Sequence, residues 1–360
     1  MTQKNYNDMS AVGALKAAQY LAVSPFIFQA VVAMKKKGIL AHFGKMSKND
    51  SVSRSELAQI SGLSDYAVSM LTDLAVAADL LIRNDDDTLS PTKIIHYLAN
   101  DRMTNVNLDF SSEVCYEGLK SMTESLETET PKGLKVFTSS CATIYPFLSS
   151  LPEKARNAWF GFDHYYSDNV FSSVLPILFR ERHFRHINDI GGNTGKFALA
   201  ATAFSDDTRV TIIDLPQQCE LAAANIREHG LEDRIDTCPV NILEESARLP
   251  SGGDLWWMSQ FLDCFSSEQI EEILTMVYNA MDDSAMVAIN EVFGDRQSND
   301  IAGLVIEANS LYFTVMANGV SRFYHSDVFI RLVEKIGFKV HRMVEHVGLA
   351  HTLLILTETT

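Results

Sequence analysis

The stretch 186–200, HINDIGGNTGKFALA, constrains this chain more than any other. A short apolar run holding Ile187, Asp189 and Ile190 leads into a Gly191-Gly192-Asn193-Thr194-Gly195 turn, and Lys196 onward reads as the first turns of a helix. A strand feeding a glycine turn and then a helix start is the opening unit of a doubly wound nucleotide-binding sheet. Glycine permits positive φ and close approach of a ligand, and the free N–H groups of a helix start attract polar or anionic atoms. A second buried strand, 209–213, then ends at Asp214, nineteen residues after Gly195. A carboxylate at that tip is where such sheets hold the two ribose hydroxyls of an adenosine. The competing reading makes Asp214 a cap for the helix that Leu215-Pro216 opens. The ribose reading is preferred.

The remainder of the C-terminal half keeps the βαβ rhythm. A helix over 216–229 closes at Gly230, and strands follow at 234–240 and 254–258. A helix opened by Ser266-Ser267-Glu268 runs to 281, and a fifth strand, 285–292, carries Glu291 near its end. A helical insert, 301–318, and a helix over 326–336 precede two strands, 338–345 and 351–357. The connection between those two is too short for a crossover helix, so they must pair antiparallel.

The N-terminal third is of another kind. Residues 10–45 carry apolar positions at helical spacing, closed by Lys35-Lys36-Lys37-Gly38. The apolar stretch 11–34 is interrupted by Lys16, Gln19 and Gln29, so it is read as amphipathic helix and neither as a signal peptide nor as a membrane span. A helix from Ser53, a turn at Gly62, a helix over 64–80 and a hairpin across Asn84-Asp85-Asp86-Asp87 spell a winged helix. DNA is an unlikely partner on charge alone. The would-be reading helix has Asp65, Asp73 and Asp79 and no Lys or Arg, and the whole chain carries −16. Between the two parts, 105–184 is read as mostly helical, with one helix over 113–127 and another starting after Ser150-Leu151-Pro152. Five cysteines without a CxxC point to reduced thiols in a cytoplasmic protein, with no metal site.

With these residues in place, the chain resembles the S-adenosylmethionine-dependent small-molecule O-methyltransferases from about residue 11 to residue 357. The resemblance is carried by Asp189-Ile190-Gly191-Gly192-Asn193-Thr194-Gly195, by Ile213-Asp214-Leu215-Pro216, by the spacing of 255–262, and by Asn318-Gly319-Val320-Ser321-Arg322-Phe323. It implies a seven-stranded Rossmann-like α/β sheet, parallel with an antiparallel terminal hairpin, over 185–360. It also implies an N-terminal winged-helix dimerisation domain over 1–104 and a helical linker over 105–184 that contributes to the substrate pocket. The cofactor would be S-adenosyl-L-methionine and the state a homodimer. Gly191, Gly192 and Gly195 would lie under its methionine part, Asp214 on the ribose, Leu215 and Ile242 against the adenine and Asn241 at its amino group. Ser259 completes the cofactor set. Asn193 stands in for a family glycine, and Asn tolerates positive φ best of the ordinary residues.

The catalytic centre departs from the family. Where the family reads Leu-His-Asp-Trp, with the histidine as base, this chain reads Leu262-Asp263-Cys264-Phe265. Glu291 keeps the family's supporting acid, while Ser321 stands where a second acid is expected. Three accounts of Asp263 compete: a base whose pKa burial beside Glu291 raises, a bystander to transfer driven by proximity, or a cap of the following helix with activity lost. The first two are preferred jointly.

The reading is a methyltransferase acting on oxygen, or on nitrogen, of a small aromatic acceptor, with Asp263 and Glu291 catalytic. The acceptor wall is assigned to Phe162, Tyr165, Met258, Phe261, Asn309, Tyr312, Phe313 and Met316. The rivals are a cofactor-binding sensor without transfer activity, an NAD-dependent oxidoreductase and, more distantly, a winged-helix regulator.

Overall fold

The computed structural model describes residues 9–167 and 170–358. It divides into two compact units: residues 1–114 with 157–162, and residues 115–156 with 163–360.

The first unit holds six helices and a hairpin. They are α1 (Ala11–Lys36), α2 (Ile39–Lys45), α3 (Arg54–Ser61), α4 (Asp65–Ala77), β1 (Leu81–Arg83), β2 (Leu89–Pro91), α5 (Lys93–Asn100) and α6 (Arg102–Phe110). Local chemistry fixes several boundaries. Ser53 and Glu56 form a reciprocal capping box on α3, Gly62 ends α3 at φ +66°, and Ser64 caps α4. Met34, Ile39, Phe43, Leu57, Val68, Leu89 and Ile95 form its core. The winged-helix expectation holds in outline: α3, α4 and the β1–β2 hairpin follow one another, with Arg54 bonded to Asp73 and Asp87. The expected amphipathic α1 is different in character. It is a single 26-residue helix that leaves Val12, Leu15, Tyr20, Leu21 and Phe26 exposed. By length and composition alone it is apolar enough to cross a membrane.

The second unit opens with α7 (Met122–Thr128), contains most of α8 (Glu153–Ser167), and continues with α9 (Phe171–Glu181) into the sheet. The helix expected over 113–127 is broken into a wide turn, a tight turn and then α7. At Gly118, in the tight turn, a Cβ would overlap the sulfur of Met316, so only glycine lets the two approach this closely.

The sheet contains β3 (His186–Ile190), β4 (Arg209–Asp214), β5 (Ile235–Pro239), β6 (Leu255–Ser259), β7 (Met286–Val292), β8 (Phe338–Val347) and β9 (His351–Glu358). Between them lie α10 (Lys196–Phe204), α11 (Pro216–His229), α12 (Ser267–Ala280), α13 (Asp300–Tyr312) and α14 (Ser326–Ile336). Strand order is β5-β4-β3-β6-β7-β9-β8, parallel except for β9, which runs antiparallel to both neighbours. Residues of α9, α10 and α11 pack on one face and residues of α12 and α14 on the other. Burial on both faces explains near-continuous apolar strands such as Leu255–Met258. The strand order reverses between β3 and β6, which opens a crevice at their C-terminal ends.

Candidate active site

The glycine turn lies at that crevice and is held by its neighbours. The Gly191 N–H donates to the Ile213 carbonyl at 2.9 Å, and the backbone then turns through φ +74° at Gly191, +50° at Asn193 and +82° at Gly195. A side chain at Gly191 would collide with the Phe261 ring, and one at Gly192 with the Asp189 carboxylate. Asp214 accepts from the N–H of Asn193 at 2.8 Å and of Leu215 at 2.7 Å, so it locks the turn to the start of α11. Asp214 is not the cap of that helix, since the capping position is Leu215 and no side chain bonds the N–H groups of the first turn. Its bonds to the turn do not exclude a ligand, since each carboxylate oxygen has a second lone pair.

Asp189 sits beneath the turn, 2 % exposed, with Oδ2 making no hydrogen bond. Burial first, and the charge of Asp214 second, push its pKa up to about 8. It therefore carries a proton at neutral pH. Further along the edge, Leu215 is exposed, while Asn241 donates to Glu244 at 3.1 Å and accepts from the Leu243 N–H at 3.3 Å. Ile242 packs at the border of the core.

The segment after β6 carries the acid. Ser259 accepts from the Asn290 amide at 3.0 Å, Gln260 adopts φ +48°, and a tight turn over Leu262–Cys264 follows. Glu291 shapes this turn: one carboxyl oxygen accepts from the N–H groups of Phe261 (3.0 Å) and Leu262 (2.9 Å). Its other oxygen is buried without a partner. Asp263 itself is 6 % exposed, with the Cys264 thiol 3.5 Å from its carboxylate. Burial, reinforced by the charge of Asp163, raises the Asp263 pKa to about 7. Burial, with Asp263's charge second, holds Glu291 well above the carboxylate range. Burial and mutual repulsion thus disfavour two charges in this pair, so its two acids titrate together rather than independently.

Asp263 does not cap the next helix. That task falls to Ser266 and Gln269, in a reciprocal capping box on α12. The expected signal at Ser321 also resolves into structure: its hydroxyl donates to Asn318, whose amide reaches across to the Cys264 carbonyl at 2.7 Å.

The wall residues fall into four groups. Phe261 lies edge-on to Phe265 at 4.8 Å and over the glycine turn. Asn309, Tyr312 and Phe313 lie on α13 and the wide turn after it; the Asn309 amide nitrogen is buried without a partner, and Phe313 meets Tyr312 and Phe323 edge to face. Met258 is wholly buried in the core beside Ile190 and Ile213, Met316 packs onto Gly118 and Gly133, and Tyr165 lies edge-on to Tyr166. Phe162 belongs to the first unit and stacks on Phe110 at 4.2 Å. Two residues that the sequence did not single out face the acid turn. Asp163 acts on Asp263 through its charge, and the buried hydroxyl of Tyr145 neighbours Cys264 and Asp263. Neither sits in a motif, so no sequence signal marks them.

Comparison with known proteins bears on this geometry. Residues 168–339 match the model of the O-methyltransferase domain, and residues 15–88 match that of a Dimerisation2-like domain. Over residues 168–339 the chain belongs to the O-methyltransferase domain family, with a Dimerisation2-like domain ahead of it. It is an S-adenosylmethionine-dependent methyltransferase; Asp214 alone could not separate two ribose-bearing cofactors. Among relatives of this family, an L-tyrosine C(3)-methyltransferase of Streptomyces lavendulae is 23% identical over 299 residues, 82% of this chain and 80% of that protein. A 3-hydroxy-5-methyl-1-naphthoate 3-O-methyltransferase of Streptomyces sahachiroi is 29% identical over 131 residues, 36% of this chain and 37% of that one. Among solved structures, the S-adenosylmethionine-dependent methyltransferase SibL in its apo form superposes with a TM-score of 0.72 at 21% identity, covering 96% of this chain and all of that one (100%).

Proposed function

We propose that this methyltransferase moves a methyl group to the oxygen of a small aromatic acceptor, with Asp263 as the general base. The observation that carries the reading is the burial of Asp263, which brings a carboxyl to about 7, the range of the imidazole it replaces. An ordinary carboxylate would be a poor base for a phenol of pKa ~10; a raised one is better matched. Glu291 acts by holding the turn that presents Asp263.

The crevice fits the cofactor. At Gly191 and Gly192 only a residue without Cβ leaves the turn open, and Asp214 offers spare lone pairs at the ribose end. Gly191, Gly192, Gly195 and Ser259 are assigned to its amino-acid side, with Asp214, Leu215, Asn241 and Ile242 on its adenosine side. When bound, the cofactor supplies an electrophilic methyl on a sulfonium. The protein's part is to orient the acceptor, remove its proton to Asp263 and exclude water with Phe261, Tyr312 and Phe313. Calorimetry with S-adenosylmethionine and turnover of a phenol panel by wild type and Asp263→Ala test this. Cofactor binding without any turnover would favour the sensor reading instead.

A second reading places the methyl on a ring carbon beside a hydroxyl. It is favoured by the relative that spans 82% of this chain, named for the tyrosine C(3) position, and by a second acid, Asp163, facing Asp263. Carbon transfer forms a C–C bond and must then break a ring C–H bond, so it needs a proton acceptor after the methyl arrives. NMR of the product distinguishes an aryl methyl from a methoxy.

We further propose a cytoplasmic homodimer joined through the N-terminal domain. The matched dimerisation model and the exposed Leu15, Leu21 and Phe26 of α1 support it. Leu21→Glu should shift sedimentation toward the monomer.

A further inference from the structure

The hydroxyl of Tyr145 is buried with no oxygen or nitrogen partner; it meets the Cys264 thiol, and the Tyr312 phenol and the Asp263 carboxyl are its other ionisable neighbours. Its position is set by the fold. Tyr145 opens a tight turn, and the preceding Ile144 N–H is bonded to the Ala317 carbonyl at 2.8 Å, at the end of the wide turn that follows α13. Burial, with the charges of these neighbours, holds the phenol well above its usual pKa. It therefore stays protonated and has one proton to donate. Buried hydroxyls in folded proteins almost always have a strong partner and a thiol is a weak one, so a phenol held this way beside a reactive acid points to an oxygen that arrives with the ligand.

We propose that Tyr145 donates a hydrogen bond to the acceptor oxygen that Asp263 deprotonates, and so selects phenolic acceptors over amines. The inference rests on the methyltransferase reading above and deepens it. A phenolate oxygen has three lone pairs: one forms the new bond to the methyl carbon while another accepts from Tyr145. The phenolic proton goes to Asp263, and the methyl leaves sulfur as the C–O bond forms. A neutral arylamine nitrogen has a single lone pair. A donor aimed at that pair competes with its attack. The same donor steadies a phenolate in a site where the base has become a neutral acid.

The test compares wild type and Tyr145→Phe on substituted phenols and on the matching anilines, using labelled S-adenosylmethionine. Calorimetry of cofactor binding and thermal melts run alongside. Wild type is expected to favour each phenol over its aniline by at least about tenfold. Tyr145→Phe should lose about 10- to 100-fold in kcat on phenols and little on anilines. Its dependence on acceptor pKa should steepen, with cofactor affinity and melting temperature retained. Equal losses on phenols and anilines, a change confined to KM, or a wild type that binds cofactor yet shows no phenol preference would each overturn the proposal. A wild type that fails to bind S-adenosylmethionine would instead sink the reading beneath it.

Discussion

Asp263→Asn is the sharpest perturbation of this site, because it keeps shape and burial and removes only the ability to take a proton. Moving a proton from a phenol of pKa ~10 to an ordinary carboxylate near 3.9 is uphill by about 8 kcal/mol, at 1.36 kcal/mol per pKa unit. With Asp263 at about 7, the same transfer is uphill by about 4 kcal/mol. A positioned base of that strength typically contributes 10²- to 10⁴-fold. Initial rates with a phenol that the wild type uses, from pH 5.5 to 9, should rise through a limb near pH 7, since Asp263 accepts a proton only when ionised. Asp263→Asn should lose about 10²- to 10⁴-fold and that limb with it, while cofactor affinity stays within a fewfold. Asp263→His restores a base of ordinary pKa ~6.5 and should retain activity within about tenfold. If Asp263→Asn keeps a third or more of kcat, or the limb survives unchanged, proximity alone drives transfer and the base assignment fails.

Glu291→Gln keeps a carbonyl oxygen to accept from the N–H groups of Phe261 and Leu262, so fold and rate should hold within about tenfold; Glu291→Ala orphans both N–H groups and should cost about 2–5 kcal/mol in urea unfolding. Gly191→Ala forces a Cβ into φ +74° and onto the Phe261 ring, so a loss of about 1–3 kcal/mol and weaker cofactor binding are expected in melts and calorimetry. His351 is wholly buried with neither ring nitrogen bonded, and burial lowers its pKa from 6.5 to about 4. A depressed folded-state pKa means stability present above pH ~6.5 and lost as pH falls toward 4, about 3 kcal/mol in all. His351→Leu should lose that much less than wild type between pH 7 and 4 in denaturant titrations.

Much of this fold is legible because local and topological rules coincide. The glycine turn, Asp214 at a strand tip and the short link between β8 and β9 together specify the sheet. What the sequence hides are contacts between residues far apart in the chain. A helix pattern over 113–127 looks continuous until Met316 is seen lying against Gly118. Asp263 reads as a helix cap from its spacing alone, until Gln269 is found completing the box with Ser266. Asp163 and Tyr145 carry no motif at all, and they reach the acid turn only through the folded chain. The pKa of Asp263 is hidden for the same reason: desolvation belongs to the packed state, not to the residue type.

Replacing histidine by aspartate changes more than the proton acceptor. An imidazole that takes the phenolic proton becomes a cation beside the new phenolate and steadies it electrostatically. A carboxylate that does so becomes neutral and gives the phenolate nothing. The charge that the imidazolium would have offset must then be met elsewhere, and the Tyr145 hydroxyl, whose contact is the weakly accepting Cys264 thiol, is a donor beside Asp263. The two residues should therefore be energetically coupled. Removing the hydroxyl should cost more when residue 263 is Asp than when it is His, by about three- to tenfold in kcat across the Asp263→His and Tyr145→Phe double-mutant cycle. Strict additivity in that cycle would mean that Tyr145 and the base act on different atoms of the acceptor.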